Sequence, residues 1–293
     1  MARVLDKVIM LLAMTKPVQL ALLMVTMFGA YFAAGGSLNV ELLALLFITG
    51  LGSAGGVTAL NMYLERDIDR VMSRTRSRPL PSGGLTPFEA LTGIVFLIVI
   101  GTVAASLINT WVLLTTLVGL YFDIIAYTEL FKRHTAWALL AGSVAGSMPA
   151  LGGWAAATGS IDMLGILMAG MVYVWQPLHV SFIHYAYSKD FMDAGVPTIY
   201  ACLGDRAYGL ISLASLLSLL SLVWAFAALA GYGLTTGVVS TIVGLRAIRA
   251  VLRFLSSPSR EGARRIVKLA SPTLGIIFVL LPLERVILGL VGV

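Results

Sequence analysis

The sequence predicts an all-α membrane protein that crosses the bilayer nine times. Hydrophobic residues make up 59% of its 293 positions and charged residues 12%, and its mean hydropathy is +0.95. Soluble domains carry about 25% charged residues, and their surface-to-volume ratio could not hide so much apolar surface. The composition therefore excludes an ordinary soluble globular fold.

Charge and cysteine content exclude several other classes of protein. Cys202 is the one cysteine, so the chain has no internal disulfide and no multi-cysteine metal site. The net charge of +6 is concentrated between the apolar segments and does not indicate nucleic-acid binding. The charges that follow Met1 come without a small-residue cleavage site, which predicts that there is no removable signal peptide. We expect a single transmembrane domain over residues 1–293.

Nine apolar segments are long enough to cross a bilayer, which takes about 20 mostly apolar residues in a helix. Charges and clusters of Gly, Pro and Asn separate these segments along the chain. Two long uncharged runs are divided at 108–110 and at 231–233. The predicted spans are, in order, 17–35, 40–62, 88–107, 111–129, 136–157, 162–184, 207–230, 233–254 and 268–290. The ninth is the weakest because it contains Glu284 and Arg285, so eight spans are the alternative count.

Lysine and arginine placement predicts the orientation of the chain. With nine spans, the amino-terminal segment and the loops after the even-numbered spans lie on one side of the membrane. Those segments and the adjoining helix ends carry almost all the lysines and arginines, and Arg285 is the exception. Because cytoplasmic loops are enriched in these residues, we expect a multi-pass cell-membrane protein whose amino terminus and charged loops are cytoplasmic.

The loop after the second span carries a row of oxygen ligands. Asn61, Glu65 and Asp69 are spaced four residues apart, so a continuing helix stacks them on one face, while Asp67 points away. Mg²⁺ is usually bound by a few carboxylates together with substrate phosphates. Arg74 and Arg78 follow at once, and arginine forks match phosphate oxygens. This order indicates a metal-bridged diphosphate site, and the alternative is a solvated, salt-bridged loop that only sets topology.

The loop after the fourth span adds Lys132 and Arg133, which alone are typical of a topology anchor. Asp123 lies about one and a half turns inside that span. An ionisable residue at such a depth is a functional-site hypothesis by default. The alternative is a residue near the interface that is hydrogen-bonded to Tyr127.

The sixth span and the loop that follows it hold the third group of polar residues. Asp190 and Asp193 are three residues apart and could face the first acidic row across a helical bundle, with Lys189 beside them. His179 follows Pro177, and a proline kink frees backbone groups within a span. A hydrogen-bonded structural histidine is the alternative.

These motifs, in this order, resemble the UbiA superfamily of intramembrane prenyltransferases, and most closely its protoheme IX farnesyltransferase (heme O synthase) branch. The resemblance covers roughly residues 61–200. The motifs that carry it are Asn61-x3-Glu65-x-Asp67-x-Asp69, Met72-x-Arg74-Thr75-x2-Arg78-Pro79-Leu80-Pro81-Ser82-Gly83, Tyr127-Thr128, Lys132-Arg133-x-Thr135, Gly142-x3-Gly146-x2-Pro149, Gly153-Trp154-Ala155-Ala156-x-Thr158-Gly159, Trp175-x-Pro177-x-His179 and Lys189-Asp190-Phe191-x2-Ala194-Gly195-Val196-Pro197.

The resemblance implies a nine-helix bundle around a membrane-embedded cavity that cytoplasmic loops cap. It implies Mg²⁺ as cofactor, farnesyl or geranylgeranyl diphosphate as donor, and the vinyl group of heme b as acceptor. The family's catalytic metal-binding motifs map onto Asn61, Glu65, Asp69 and Asp190. Asp67 and Asp193 complete the predicted set of metal ligands. The predicted diphosphate-binding cations are Arg74, Arg78, Lys132, Arg133 and Lys189, and His179 is the predicted heme contact.

The sequence departs from the family's pattern at several of these motifs. Glu65 stands where the family often has Asp, Ser73 stands where a basic residue is common, and Leu178 and Val180 replace the usual Pro and Phe beside His179. The alternative functions are prenylation of a quinone precursor or a glycerol lipid, and, in another class, membrane transport. Transporters often carry midplane ion sites in broken helices, whereas the polar residues here cluster at the predicted cytoplasmic ends.

Overall fold

A computed structural model describes residues 2–291, and side chains over 5–290. Within these residues the chain is helical throughout, without strands. Position 1 and positions 292 and 293 of the predicted domain lie outside the described residues. The helices are α1 (Ala2–Met14), α2 (Pro17–Ala33), α3 (Val40–Thr49), α4 (Gly55–Leu64), α5 (Arg66–Val71), α6 (Pro87–Ile108), α7 (Thr110–Tyr121), α8 (Ala138–Thr158), α9 (Met163–Ala186), α10 (Ser188–Asp193), α11 (Ile199–Ala230), α12 (Leu234–Ser256) and α13 (Arg260–Val291). Two π-helical segments, Gly50–Ala54 and Phe122–Phe131, join α3 to α4 and extend α7.

The predicted all-α membrane fold is confirmed. Each of the nine predicted spans coincides with a long helical segment of the described chain. Six of these segments are long and apolar enough to cross a membrane by themselves, or up to seven if α2 and the bent α1 count as one broken span. Helix α8 is rich in Gly, Ala and Ser, and α12 carries three arginines in its second half, so neither is among the six. The exact count of nine therefore stays a prediction.

Several boundaries differ from those the sequence predicts. Helix α1 is an additional amphipathic helix, bent by 59° from α2. Helix α13 begins at Arg260 rather than near 268, because its charged first two turns continue the helix beyond the apolar run. Helix α11 begins at Ile199 and kinks at Gly204, whose φ of 74° and ψ of −173° only glycine adopts easily. The predicted start at 207 matches the straight part after this kink.

Small residues let the helices at the cavity and beside it approach closely, as is common where helices pack in membranes. A Cβ on Gly153 of α8 would lie 1.9 Å from the carbonyl oxygen of Met27 in α2. A Cβ on Gly101 of α6 would lie 2.2 Å from the backbone nitrogen of Ser53 in the first π segment. These backbone-to-backbone contacts hold α2, the first π segment, α6 and α8 against one another.

The two charges of the ninth predicted span are satisfied by neighbouring helix ends. The Glu284 carboxylate accepts hydrogen bonds from the backbone nitrogens of Thr235 and Thr236 at the start of α12, both at 3.0 Å. Arg285 donates to the Ala33 carbonyl at 2.7 Å and lies over the Tyr232 ring, whose hydroxyl donates to the same carbonyl. This cluster ties the end of α2 to α12 and α13 at the end of the bundle remote from the charged loops.

Candidate active site

A cavity of about 330 Å³ lies between α2, α3–α4, α7, α8 and α9, and its two ends differ in chemistry. Its deep end is lined mainly by apolar side chains such as Leu23, Met27, Val112 and Met148. Its other end is lined by charged and amide side chains from the predicted cytoplasmic loops. The cavity can therefore hold an apolar chain whose polar head sits among charges. Its polar lining residues include Lys16, Gln19, Asn61, Glu65, Asp69, Arg74, Arg78, Asp123, Tyr127, Lys132, Gln176 and His184, together with the hydroxyl residues Thr49, Ser53, Thr58, Thr115 and Thr116.

The predicted acidic row lies at the charged end of this cavity, although the helix that carries it is interrupted. Helix α4 ends at Leu64, Glu65 adopts φ −97° and ψ 14°, and α5 begins at Arg66. Hydrogen bonds from the Glu65 nitrogen to the Asn61 carbonyl (2.9 Å) and from the Asp69 nitrogen to the Glu65 carbonyl (2.8 Å) keep the four-residue spacing. All three side chains are buried, and Asp69 is 2% exposed.

Each of the two carboxylates in the row faces a cation. Arg78 donates from one guanidinium nitrogen to both oxygens of Asp69, at 2.7 and 2.6 Å. Lys132 donates to Glu65 from the end of the second π segment. Burial opposes the charge on Lys132, but Tyr127 and Glu65 hold the pKa of its ammonium above the ordinary value. Two of the five cations that the sequence predicts for a diphosphate thus lie beside the predicted metal ligands.

The second π segment brings polar side chains of its own to the charged end of the cavity. Its Asp123 and Tyr127 line the cavity, and the Thr128 hydroxyl donates to the Asn61 Oδ1 at 2.9 Å. The Lys132 ammonium lies 5.1 Å from the centre of the Tyr127 ring. Single π-helical turns inside α-helices are frequent at functional sites. Asp123 therefore lines the cavity. The alternative interpretation, a hydrogen bond between Asp123 and Tyr127, is not among the hydrogen bonds of the described side chains.

Asp67 and Arg133 lie away from the cavity, on the outer face of the loops. Arg133 donates to both carboxylate oxygens of Asp67, at 2.9 and 3.0 Å, and both side chains are about half exposed. This hydrogen bond holds the pKa of the Asp67 carboxyl below its ordinary value. The helical spacing predicted that Asp67 points away from the row, and its assignment as a metal ligand stays a prediction.

Helix α10 brings only one of its charged residues to the first loop. Both oxygens of Asp190 accept from the Ser73 hydroxyl at 2.9 Å, and one accepts from the Arg74 nitrogen at 3.3 Å. Asp190 thus orders the turn that carries Arg74, although it does not line the cavity. Lys189 and Asp193 are exposed and take part in none of the ion pairs of the described side chains.

The two histidines near the end of α9 differ in what they contact. His179 stacks on Trp175 with the ring centres 4.7 Å apart, and its ring is not part of the cavity lining. His184 is 8% exposed, lines the cavity and packs edge-on against Phe191. The Nδ1 atoms of both rings are buried without a hydrogen-bond partner in the described structure.

Sequence reasoning assigned no site role to several polar residues of the cavity lining, among them Lys16, Gln176 and His184. Lys16 reads as a topology charge because it precedes an apolar run. The one feature of the sequence that could have indicated a site role for Lys16 is its position directly before Pro17, at the start of a helix. Gln176 lies inside an apolar span, and a single uncharged amide there does not indicate a cavity.

The residues at the charged end fit Mg²⁺ that arrives with a phosphate. No group of three carboxylate, imidazole or thiol side chains is preassembled for a metal within the part of the chain that the structure describes. A protein cage is not required, because Mg²⁺ is often held by one or two carboxylates plus substrate phosphates and water. The buried, hard oxygen donors of Asn61, Glu65 and Asp69 at a cavity wall are of that kind.

Comparison with known proteins agrees with this geometry. Residues 22–271 match the UbiA prenyltransferase family. The protoheme IX farnesyltransferase of Aeropyrum pernix is 50% identical over 94% of this chain and 91% of its own length. A structure described for digeranylgeranylglyceryl phosphate synthase superposes with a TM-score of 0.77 at 17% identity, covering 95% of this chain and 98% of that one. A UbiA homologue from Archaeoglobus fulgidus bound to GPP and Mg²⁺ superposes with a TM-score of 0.63 at 15% identity, covering 93% and 99%. This chain is an integral membrane prenyltransferase and belongs to the UbiA family.

Proposed function

We propose that the enzyme transfers a farnesyl group, or a longer prenyl group such as geranylgeranyl, from its diphosphate to the vinyl group of heme b. The observation that carries the donor assignment is the cavity, which joins an apolar interior to a mouth of buried carboxylates and cations. The acceptor assignment rests on the heme-named relative at 50% identity. The structural likeness to a glycerol-lipid enzyme is at 17% identity and bears on the fold alone.

Charge at the mouth supports departure of the diphosphate. Arg78 and Lys132 can donate to phosphate oxygens as negative charge develops on the leaving group, which is electrostatic stabilisation of the transition state. Asn61, Glu65 and Asp69 would hold Mg²⁺, which supplies Lewis-acid neutralisation of the diphosphate when bound. We propose that Arg74 and Asp190 support this arrangement, with Asp190 fixing the turn and Arg74 reaching the diphosphate from it.

The interior supports the reactive part of the donor. An allylic cation must be kept from water until the acceptor reaches it, and an apolar cavity excludes water. The Tyr127 ring at the mouth offers an electron-rich face to a cation. The heme vinyl carbon then forms the new carbon–carbon bond, and addition of water completes a hydroxyethylfarnesyl group. Placement in the cell membrane with the charged end in the cytoplasm follows from the lysine and arginine distribution.

Mass spectrometry of heme tests this function directly. Purified protein is incubated with heme b, Mg²⁺, and either farnesyl or geranylgeranyl diphosphate, and the extracted heme is analysed. We expect a heme carrying the prenyl group plus one water. Parallel reactions with an aromatic quinone precursor and with a prenylated glycerol phosphate separate the alternative acceptors. Diphosphate release with one of these acceptors and none with heme would overturn the heme assignment, and absence of diphosphate release with every acceptor would reopen transport.

Arg78→Ala and Lys132→Ala are expected to raise the Michaelis constant for the prenyl diphosphate, with little change in that for heme. The reason is that each side chain contacts the diphosphate in the ground state as well as the transition state. Steady-state kinetics with each substrate varied in turn measures the effect. A change confined to heme would assign these cations to the heme carboxylates instead.

His179→Ala is expected to weaken heme binding while prenyl diphosphate still binds with Mg²⁺. An imidazole can ligate iron or hydrogen-bond a carboxylate, and the buried Nδ1 of His179 has no partner among the described atoms. Heme titration and thermal unfolding on one preparation provide the measurement. His184→Ala is the matched comparison, because that ring lines the cavity. Loss of heme affinity in His184→Ala alone would move the heme contact to His184.

A further inference from the structure

Lys16 combines a strained backbone with a place at the cavity. It is the one non-glycine residue with a positive φ among the described residues, at φ 49° and ψ 72°. L-residues other than glycine adopt this left-handed conformation at a cost, most of all when they are not Asn or Asp. Lys16 also precedes Pro17, and a residue before proline is normally pushed to an extended conformation. The sharp bend between α1 and α2 is made at this residue.

A glycine would make the same bend without strain, so the lysine side chain needs a reason of its own. Strained residues persist where the surrounding structure fixes them, and they cluster at ligand sites. The side chain of Lys16 makes no capping hydrogen bond to α2. A role in holding the helix start is therefore not the reason for its presence.

The charges around Lys16 leave its ammonium available. It lines the cavity, and Arg78, Lys132, Glu65 and Asp123 lie within electrostatic range of it. Arg78 and Lys132 are already paired, with Asp69 and Glu65. The four ion pairs among the described side chains do not include Lys16. Asp123 also lies near Lys16 but forms no ion pair with it. A partly buried cation that lies near two other cations and forms no ion pair favours an anion in the cavity.

We propose that Lys16 is an anion-binding residue of the site, which donates to an oxygen of a substrate's anionic group. This inference rests on the proposed function, which brings two such groups to the cavity: the diphosphate of the prenyl donor and the carboxylates of heme. Both present charged oxygen acceptors to an ammonium, and charge-assisted hydrogen bonds of this kind are the strong ones. Lys16 reaches the cavity from the turn between α1 and α2. Arg78 lies in the loop after α5, and Lys132 directly follows the second π segment.

The test compares three substitutions of Lys16 in the full-length protein. Lys16→Met removes the charge and keeps the apolar stem, Lys16→Arg keeps the charge, and Lys16→Gly removes the side chain and relaxes the backbone. Lys7→Met is the control, because Lys7 is an α1 cation outside the cavity that pairs with Glu89. Binding of inorganic pyrophosphate with Mg²⁺ and binding of heme are titrated separately, and thermal unfolding is recorded for each protein.

We expect Lys16→Met and Lys16→Gly to bind one of the two probes about 10- to 100-fold more weakly, which is the loss of one charge-assisted hydrogen bond. Lys16→Arg and Lys7→Met should bind both probes within a few-fold of the original protein. The unfolding temperature of Lys16→Gly should equal or exceed that of the original protein, because the left-handed backbone suits glycine. Weaker binding by a protein that is no less stable separates a ligand contact from a structural role.

The probe that is affected identifies the source of the anion. Weaker pyrophosphate binding assigns Lys16 to the donor, and weaker heme binding assigns it to the acceptor. Unchanged binding of both probes in Lys16→Met and Lys16→Gly would overturn the proposal. Failure of the proposed function gives a different result, namely that the unsubstituted protein forms no prenylated heme, while the pyrophosphate titration still reports on Lys16.

Discussion

Turnover of the Asp69→Asn variant is expected to fall about 10²–10³-fold, the usual loss when one well-placed electrostatic element is removed from an active site. Asp69 is 2% exposed, lines the charged end of the cavity and accepts both of its ion-pair contacts from Arg78. The amide has the same shape but no charge, so it weakens both the proposed metal site and the placement of Arg78. The measurement is the rate of prenylated product formation at saturating donor and Mg²⁺.

Two further variants make this prediction specific. Glu129→Gln makes the same kind of change at an exposed carboxylate of the second π segment that does not line the cavity, and it should leave turnover within a few-fold of the original. Asp67→Asn tests the remaining predicted ligand of that loop, which lies on the outer face. A well-folded Asp69→Asn protein with nearly full turnover at ordinary Mg²⁺ would contradict the role of Asp69 as a metal ligand.

Gly101→Ala is expected to destabilise the protein by about 2–3 kcal/mol, at the upper end of the usual cost of overpacking. The added Cβ would lie 2.2 Å from the backbone nitrogen of Ser53 and 2.7 Å from the carbonyl carbon of Gly52. Both neighbours are backbone atoms, so relief requires that α6 move away from the first π segment. Because Ser53 lines the cavity, we also expect lower turnover.

Thermal unfolding in one detergent measures this loss of stability. Gly275→Ala is the matched control, because a Cβ there meets nothing within 4 Å. Alanine also has a higher helix propensity than glycine, so the control should be neutral or slightly more stable. Equal unfolding temperatures for the two variants would show that α6 does not pack on the first π segment as described.

Apolar runs sufficed to locate the long helices, because the bilayer requires about 20 apolar residues wherever a helix crosses it. They could not place boundaries at which a helix continues into charged sequence, as α13 does from Arg260. They also could not indicate the π segments, because Phe122–Phe131 carries no residue type that distinguishes one extra residue per turn. Such segments depend on packing against neighbouring helices.

The charged end of the site was predictable to the extent that its residues are close in sequence. The spacing of Asn61, Glu65 and Asp69 placed them on one face, and the structure keeps that face despite the break at Glu65. Long-range pairings such as Lys132 with Glu65 depend on how the helices pack and have no local signal. Lys16 was missed because a lysine at a predicted cytoplasmic helix end is expected from topology alone, and its backbone conformation appears only in three dimensions.

The pairing of Arg78 with Asp69 and of Lys132 with Glu65 has a consequence for the kinetic cycle. Arg78 and Lys132 are partly buried and already paired with carboxylates in the free protein, so under the proposed function the donor would exchange ion-pair partners rather than neutralise unpaired charges. Under the proposed function, the carboxylates would turn to Mg²⁺ when the donor binds and would pair with the cations again when diphosphate and Mg²⁺ leave. Re-formation of these two ion pairs would then favour release of the diphosphate product. The two ion pairs of the free protein would therefore bear on release of diphosphate as well as on binding of the donor.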